Sequence, residues 1–422
     1  MIKWYKIEYK QWIKDGCKVN DEIIELELHV RKLINLSETL GNLINLQILN
    51  CGYCKITEFP KTLYNLINLR EFNCYSNNLI ELPEAIGNLI KLQKLNCSYN
   101  KLTELPKTIG KLINLQNLNC YNNELTKLPE TLGNLINLQL LNCSYNKLTE
   151  LPKTLGKLIN LQYLYCFYNK LIELPKTLDN LINLQTLDCY NNKLTKLSET
   201  LGNLINLKRL WCNNNILTEL PETINNLINL DELMCNNNKL IKLPKILNNL
   251  VNLRQLYCSD CQLTELPESL CYLINLQKLC CDNNKLTKLP ETLENLIKLQ
   301  YLNCANNKLI KLPVSIIKLK HLEDIDYDTN IRLPLNLKKF LERIKNNETN
   351  DVHNNSIQAS LLDSINNLLS ETITKDIDII KDNILDNKTK RIIYNYIDDK
   401  TVGDLLINFE ELLVYVLEKI DN

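Results

Sequence analysis

The sequence predicts an α/β fold of the repeat-solenoid kind: one short strand per turn, stacked into a parallel sheet, with a small helical region at the C-terminal end. Three observations predict it. A 23-residue unit recurs from Ile23 to Leu322. Within each unit, apolar and polar residues alternate at the period of a half-buried strand. The prolines of the 422-residue chain recur at one place in the unit.

One unit reads Leu92-x-x-Leu95-x-Cys97-x-x-Asn100-x-Leu102-x-x-Leu105-Pro106, then Thr108-Ile109-Gly110-Lys111-Leu112-Ile113. Leu95 and Cys97 point inward from the strand. Asn100 stands where the chain leaves the strand, and its amide can satisfy backbone groups of the turn and of the neighbouring unit. The Leu-Pro step fixes φ and ends that segment. The stretch after it folds back as a short helix or 3₁₀ turn. No unit can bury its apolar face alone, so stacking supplies the core. Thirteen full repeats fill 23–321, and a shortened one ends near Pro334.

This pattern resembles the leucine-rich repeat family, in its 23-residue variety with Leu-Pro after the asparagine turn. The resemblance implies a curved horseshoe with the parallel sheet on its concave face, and a role in binding other proteins. Arg31, Cys54 and Cys261 replace the turn asparagine, and Ser37 and Ser198 replace the proline. The bias to Asn, Ile, Lys and Tyr suggests an AT-rich genome, such as that of a giant DNA virus or a protist.

Composition narrows the function. Lys+Arg and Asp+Glu are both 49, so the formal charge is zero and a strongly basic nucleic-acid binder is excluded. Only 9 Gly and 3 His remain for phosphate loops, metal ligands and acid–base chemistry. No cofactor is expected. Of the 17 Cys, twelve fall at one repeat position from Cys51 to Cys304. They are read as small core residues replacing leucine. Adjacent strands about 4.8 Å apart do not suit the disulfide geometry. Cys280 alternates outward and is expected to be an exposed thiol. The N-terminus lacks the apolar run of a signal peptide, and no apolar stretch reaches membrane-spanning length. A cytoplasmic, intracellular setting, a host cell included, is therefore expected, with no membrane partner.

The inward frame is constant while the flanking strand positions vary, which marks those positions as a recognition surface. The central concave position is Asn at 50, 73, 96, 119 and 142, then Tyr165, Asp188, Trp211, Met234 and Tyr257. Tyr163, Phe167, Tyr168 and Tyr190 lie nearby, and Arg209 and Glu232 fall side by side on neighbouring strands. Aromatics and Met in one cluster have the composition of a binding hot spot. They could equally pack on one another along the sheet. The asparagine row is either a solvated ladder or a set of contacts for an extended peptide. Asp324, Asp326 and Asp328 share one face at period two. They read as charge guarding a sheet edge, with a cation site as the alternative.

Residues 1–22 are expected to cap the solenoid through Trp4, Tyr5, Ile7, Trp12 and Ile13. Residues 335–356 read as a terminal segment and linker, and 357–422 as a helical tail with apolar residues at helical spacing. No Cys follows Cys304 and His353 is the sole His there, so the tail holds no cysteine nucleophile or triad. The sequence is read as a non-enzymatic protein-binding scaffold. The alternatives are a self-assembling structural protein, such as a virion component, and an effector or ligase adaptor acting through the tail. The tail could also mediate oligomerisation.

Overall fold

The computed structural model describes residues 2–28 and 34–347. The expectations for Arg31 and for the 357–422 tail fall outside the described residues. A short strand β1 (Ile2–Trp4) and helix α1 (Lys6–Lys14) precede β2 (Ile23–Glu27). Three-residue strands then recur every 23 residues: β3 (Ile48–Asn50), β4 (Glu71–Asn73), β5 (Lys94–Asn96), β6 (Asn117–Asn119) and β7 (Leu140–Asn142). The series continues as β8 (Tyr163–Tyr165), β9 (Thr186–Asp188), β10 (Arg209–Trp211), β11 (Glu232–Met234) and β12 (Gln255–Tyr257). It closes with β13 (Lys278–Cys280), β14 (Tyr301–Asn303) and β15 (Asp324–Asp326), before helix α2 (Leu335–Asn347). All fifteen strands form one parallel sheet in sequence order. A leucine-rich repeat solenoid is thus realised, with 3₁₀ turns on the side opposite the strands.

Each repeat position has a mechanical task. Leu95 and its equivalents are buried in the single continuous core. Asn100 accepts the Leu79 N–H at 3.0 Å through Oδ1, and its Nδ2 reaches the carbonyls of Cys74, Cys97 and Ser98, each at 3.1 Å. One amide therefore ties two turns together and satisfies groups that would otherwise be buried unpaired. Pro106 sits extended ahead of the 3₁₀ turn Lys107–Lys111, and its carbonyl accepts the Ile109 N–H. Where Ser37 and Ser198 replace the proline, the hydroxyls accept the N–H of Thr39 and Thr200, a side-chain cap in place of a fixed φ. Gly110 is dictated by the neighbouring turn, because a Cβ there would stand 2.4 Å from the Thr131 carbonyl oxygen.

The cysteine column runs through the core as free thiols. Cys97 Sγ donates weakly to the Asn119 carbonyl of the next turn at 3.4 Å, and the pattern repeats along the column. Burial pushes Cys97, Cys143 and Cys212 up to about 12. Cys54 and Cys261 keep part of the asparagine role by donating to Leu28 O and Cys235 O. Cys280 is corrected: it does face the concave side, but only 9% of it is accessible. Its neighbours in register, Tyr257 and Asn303, flank it closely.

On the outer side, ion pairs and carboxylate caps join successive turns. The Glu84 carboxylate accepts the N–H groups of Lys107 and Thr108, and the Thr108 side chain together with these backbone bonds holds its carboxyl below the usual range. Glu130 does the same for Lys153 and Thr154.

Both ends of the described solenoid are covered, differently from expectation. At the N-terminal end β1 extends the sheet and α1 buries Tyr9 and Trp12, with Trp4 packed beside them. Tyr5, Ile7 and Ile13 face solvent, because the helix turns that stripe away from the first repeat. At the C-terminal end α2 occupies the start of the segment expected to be linker and buries Leu337, Leu341 and Ile344. Asp324 and Asp326 flank the buried Ile325 on β15, and Asp328 follows the strand. Asp326 accepts the Tyr301 hydroxyl, whereas the Asp328 carboxylate accepts the N–H groups of Asn306 and Asn307. Elsewhere a backbone carbonyl of the following turn fills the role Asp328 plays for Asn306. Among the described residues no group of three or more His, Cys, Asp or Glu could hold a metal ion. No helix among them is long and apolar enough to cross a membrane.

Candidate partner-binding surface

Parallel pairing in exact register brings the variable strand residues into columns. Tyr165, Asp188, Trp211, Met234 and Tyr257 are consecutive register partners across β8–β12. Thr186, Arg209, Glu232 and Gln255 form the column beside them. Tyr163 stands on the same side of β8 and stacks on Tyr165, planes 6° apart. Sequence order alone thus yields a continuous strip of side chains.

The strip is half-buried. Asp188 is withdrawn: it is 1% exposed, lies between Tyr165 and Trp211, and spends one carboxyl oxygen on the Tyr190 N–H at 3.3 Å. Burial pushes its carboxyl well above the ordinary range, and its withdrawn position makes it part of the floor beneath the rings. Burial also raises Glu232, while the Trp211 indole and the Arg209 guanidinium nearby oppose that rise. The Trp211 indole lies against the Glu232 carboxylate without reaching full hydrogen-bonding geometry, and the buried Asn213 Oδ1 has no donor among the described residues.

Phe167, Tyr168 and Tyr190 belong to a second feature, an aromatic belt along the turns that follow the strands. Phe167 stacks on Tyr190 at 4.8 Å, and Tyr168 stacks on Tyr145 at 4.3 Å. The belt continues through Tyr121 and Tyr99, each contact near 5.1 Å. For these rings, packing on one another is what the fold displays. Their spacing depends on small neighbours: a Cβ on Gly52 would stand 2.1 Å from the Tyr75 ring, and Ser98 and Ser144 are buried at the equivalent place. Tyr99, Tyr145 and Tyr168 even hold left-handed φ near 50°, a conformation uncommon for residues other than glycine. The sequence reading grouped these rings with the strand cluster; the alternation of small and aromatic residues was the signal separating them.

The asparagine row is partly committed to its own turns. Asn96, Asn119 and Asn142 each accept the N–H two residues on, at 3.0–3.1 Å. These are local turn bonds that end each strand. A feature not foreseen is a groove of about 740 Å³ beside the strands. Asn and Gln side chains line it from Gln116 to Asn229, with Lys208 among them.

Comparison with known proteins agrees with the architecture. A family model for a leucine-rich repeat region matches residues 61–146 and 138–283, and another leucine-rich repeat model matches 275–296. No curated protein matches the chain. Among solved structures, the Leptospira interrogans LRR protein LIC12759 is 32% identical, covering 81% of this chain and 98% of its own, with a TM-score of 0.66. The plant peptide hormone receptor RGFR1, solved in complex with RGF2, is 26% identical over 73% of this chain and 55% of its own, with a TM-score of 0.62. The functional domain of InlJ from Listeria monocytogenes, which includes a cysteine ladder, is 28% identical over 71% of this chain and 66% of its own, with a TM-score of 0.58. Repeat length, sheet register, asparagine turns and these matches agree, and the chain belongs to the leucine-rich repeat proteins.

Proposed function

We propose that this chain is a non-enzymatic scaffold whose concave face, across β8–β12, grips an extended polypeptide. The observation that carries this reading is the column of half-buried Tyr165, Trp211, Met234 and Tyr257, brought together by parallel register across β8–β12. Aromatic side chains and Met gathered in one strip have the composition of a binding hot spot. Tyr163, Tyr165, Met234 and Tyr257 supply apolar contact around Trp211. Arg209 and Glu232, adjacent in register, supply orientation. The RGFR1–RGF2 complex supports a peptide as the ligand class. The neutral net charge favours a protein over a nucleic acid. The free thiols support a reducing, intracellular location, a host cytoplasm included. Compositional bias supports an AT-rich source genome, viral or protist.

Affinity capture with mass spectrometry tests the reading, using wild type, Trp211→Phe, and Trp211→Ala combined with Tyr165→Ala. A specific protein should be retained by wild type, held more weakly by the phenylalanine variant, and lost by the double variant. An identical captured set for all three would refute the concave site. Assembly of the chain with its own copies is a second reading, favoured by an exposed isoleucine row on the solenoid's flank.

A further inference from the structure

Twelve side chains stand in a row on the flank where each turn rises into its strand. They run from Ile44 to Ile297 in steps of 23, all Ile except Val251, and each is 44–56% exposed. The row is continuous. Ten of the twelve members are followed by an asparagine that donates across to the carbonyl one step back, as Asn160 does to Ile136 O and Asn183 to Ile159 O, both at 2.8 Å, while Lys91 and Lys298 follow Ile90 and Ile297. Members are therefore roughly 4.8 Å apart, the spacing of neighbouring strands. Monomeric proteins rarely leave so long an apolar strip open to water.

We propose that this flank is the interface of an antiparallel dimer of the chain. Three observations select a second copy as the occupant. The first is area. Twelve side chains about half exposed, with the polar residues beside them, form an unbroken strip along twelve repeats, the kind of extended surface needed for the ~800 Å² per partner of a stable interface.

The second is charge complementarity. One step before the row stands Asp21 and one step after it stands Lys320, both exposed. Asp21 holds the row position structurally, since Asn45 Nδ2 donates to its carbonyl at 2.9 Å. A two-fold axis through the midpoint, between Ile159 and Ile182, pairs members equidistant from that point. Ile159 then meets Ile182 of the second copy, and Asp21 meets Lys320 of the second copy at both ends. Such an axis carries the row onto itself whether it is straight or arched in its own plane, as a self-complementary interface requires.

The third is the absence of opposing charge. In this register Lys91 faces Asn252 of the second copy, Lys157 faces Asn180, Lys298 faces Asn45, and no like charges meet. A slip by one repeat buries less of the row and sets an isoleucine against a charge at each end, so full overlap is the favoured register.

Sedimentation equilibrium of the full chain at micromolar concentration tests this. Wild type should have the mass of a dimer. The Ile136→Lys, Ile159→Lys, Ile182→Lys triple variant should be monomeric with an unchanged far-UV circular dichroism spectrum. Asp21→Lys alone should weaken the dimer roughly tenfold, and adding Lys320→Asp should restore it. A monomeric wild type overturns the proposal. So does a folded triple variant that stays dimeric, because another face then makes the contact. A charge reversal without effect on dimer affinity overturns the antiparallel register.

Discussion

The Asp188 carboxyl accepts the Tyr190 N–H, the same bond that Asn119 and Asn142 make at the corresponding place in earlier repeats. An aspartate therefore does an asparagine's work in a buried setting. Its folded-state pKa lies above the ordinary value of about 3.9. The unfolded chain releases this proton from about pH 4 upward while the native state retains it, so stability falls as pH rises through that window. Asp188→Asn keeps the acceptor and removes the acid. It should stabilise the protein by roughly 1–3 kcal/mol at pH 7 and by little at pH 4. Urea midpoints at the two pH values measure the difference; equal midpoints for variant and wild type at pH 7 would refute the assignment.

Cys261 breaks the asparagine ladder. Neighbouring rungs Asn238 and Asn284 accept the N–H of Leu217 and Leu263 at 2.9 and 3.0 Å and also reach three carbonyls each. Cys261 donates one long bond to Cys235 O at 3.6 Å, and its sulfur is only a weak acceptor for the backbone of Asn238 and Leu240. Cys261→Asn should restore the rung and raise stability by about 1–2 kcal/mol, on the scale of one or two net hydrogen bonds. A lowered thermal midpoint would mean the space fits only sulfur.

The cysteine column makes the fold sensitive to alkali. Burial raises these thiols in the native state, to about 12 for Cys97, Cys143 and Cys212, while the unfolded thiols titrate near 8.5. Above that pH unfolding releases protons, so stability drops as pH rises, by up to about 1.4 kcal/mol per pH unit per thiol. Chemical denaturation at pH 7.5 and pH 10 should show a large loss. Under native conditions only Cys17, the one cysteine that is not buried, should react rapidly with a thiol reagent. Rapid labelling of many thiols would contradict the packed column.

Helix α2 covers the last described repeat through Leu337 and Leu341, which are 0% and 1% exposed. Leu341→Ala should destabilise by about 2–5 kcal/mol. In a solenoid each repeat leans on its neighbours, so the loss should appear locally. Hydrogen exchange should accelerate at β14 and β15 while β5–β8 keep their protection. A uniform change along the sheet would argue against α2 as a local cap.

The repeat was legible because one spacing, kept from Ile23 to Leu322, forces every Leu, Cys and Asn of the frame into the same environment. The inward cysteines and the turn asparagines follow from position alone. The concave strip was legible as a list of residues but not as a surface. Sequence order placed Asp188 in the same column as Trp211, yet its burial comes from the rings on the strands either side. Cys280 was misread for the same reason: alternation gives a direction, and only the flanking strands determine accessibility. Tyr5, Ile7 and Ile13 looked like cap residues by composition, but the helix rotation that turned Tyr9 and Trp12 inward turned them out.

The 23-residue period by itself determined the fold, the number of turns, the parallel order of strands and the contents of the core. Periodicity fixes these because each unit has one apolar face and can bury it only against its neighbours. The tertiary structure decided what happens between columns: which aromatics stack, that the Trp211 indole lies against the Glu232 carboxylate, and that a row of isoleucines remains open on the flank. Those outcomes depend on side chains 23 and 46 residues apart meeting across strands, at distances that register and rotamer set and a linear pattern does not encode.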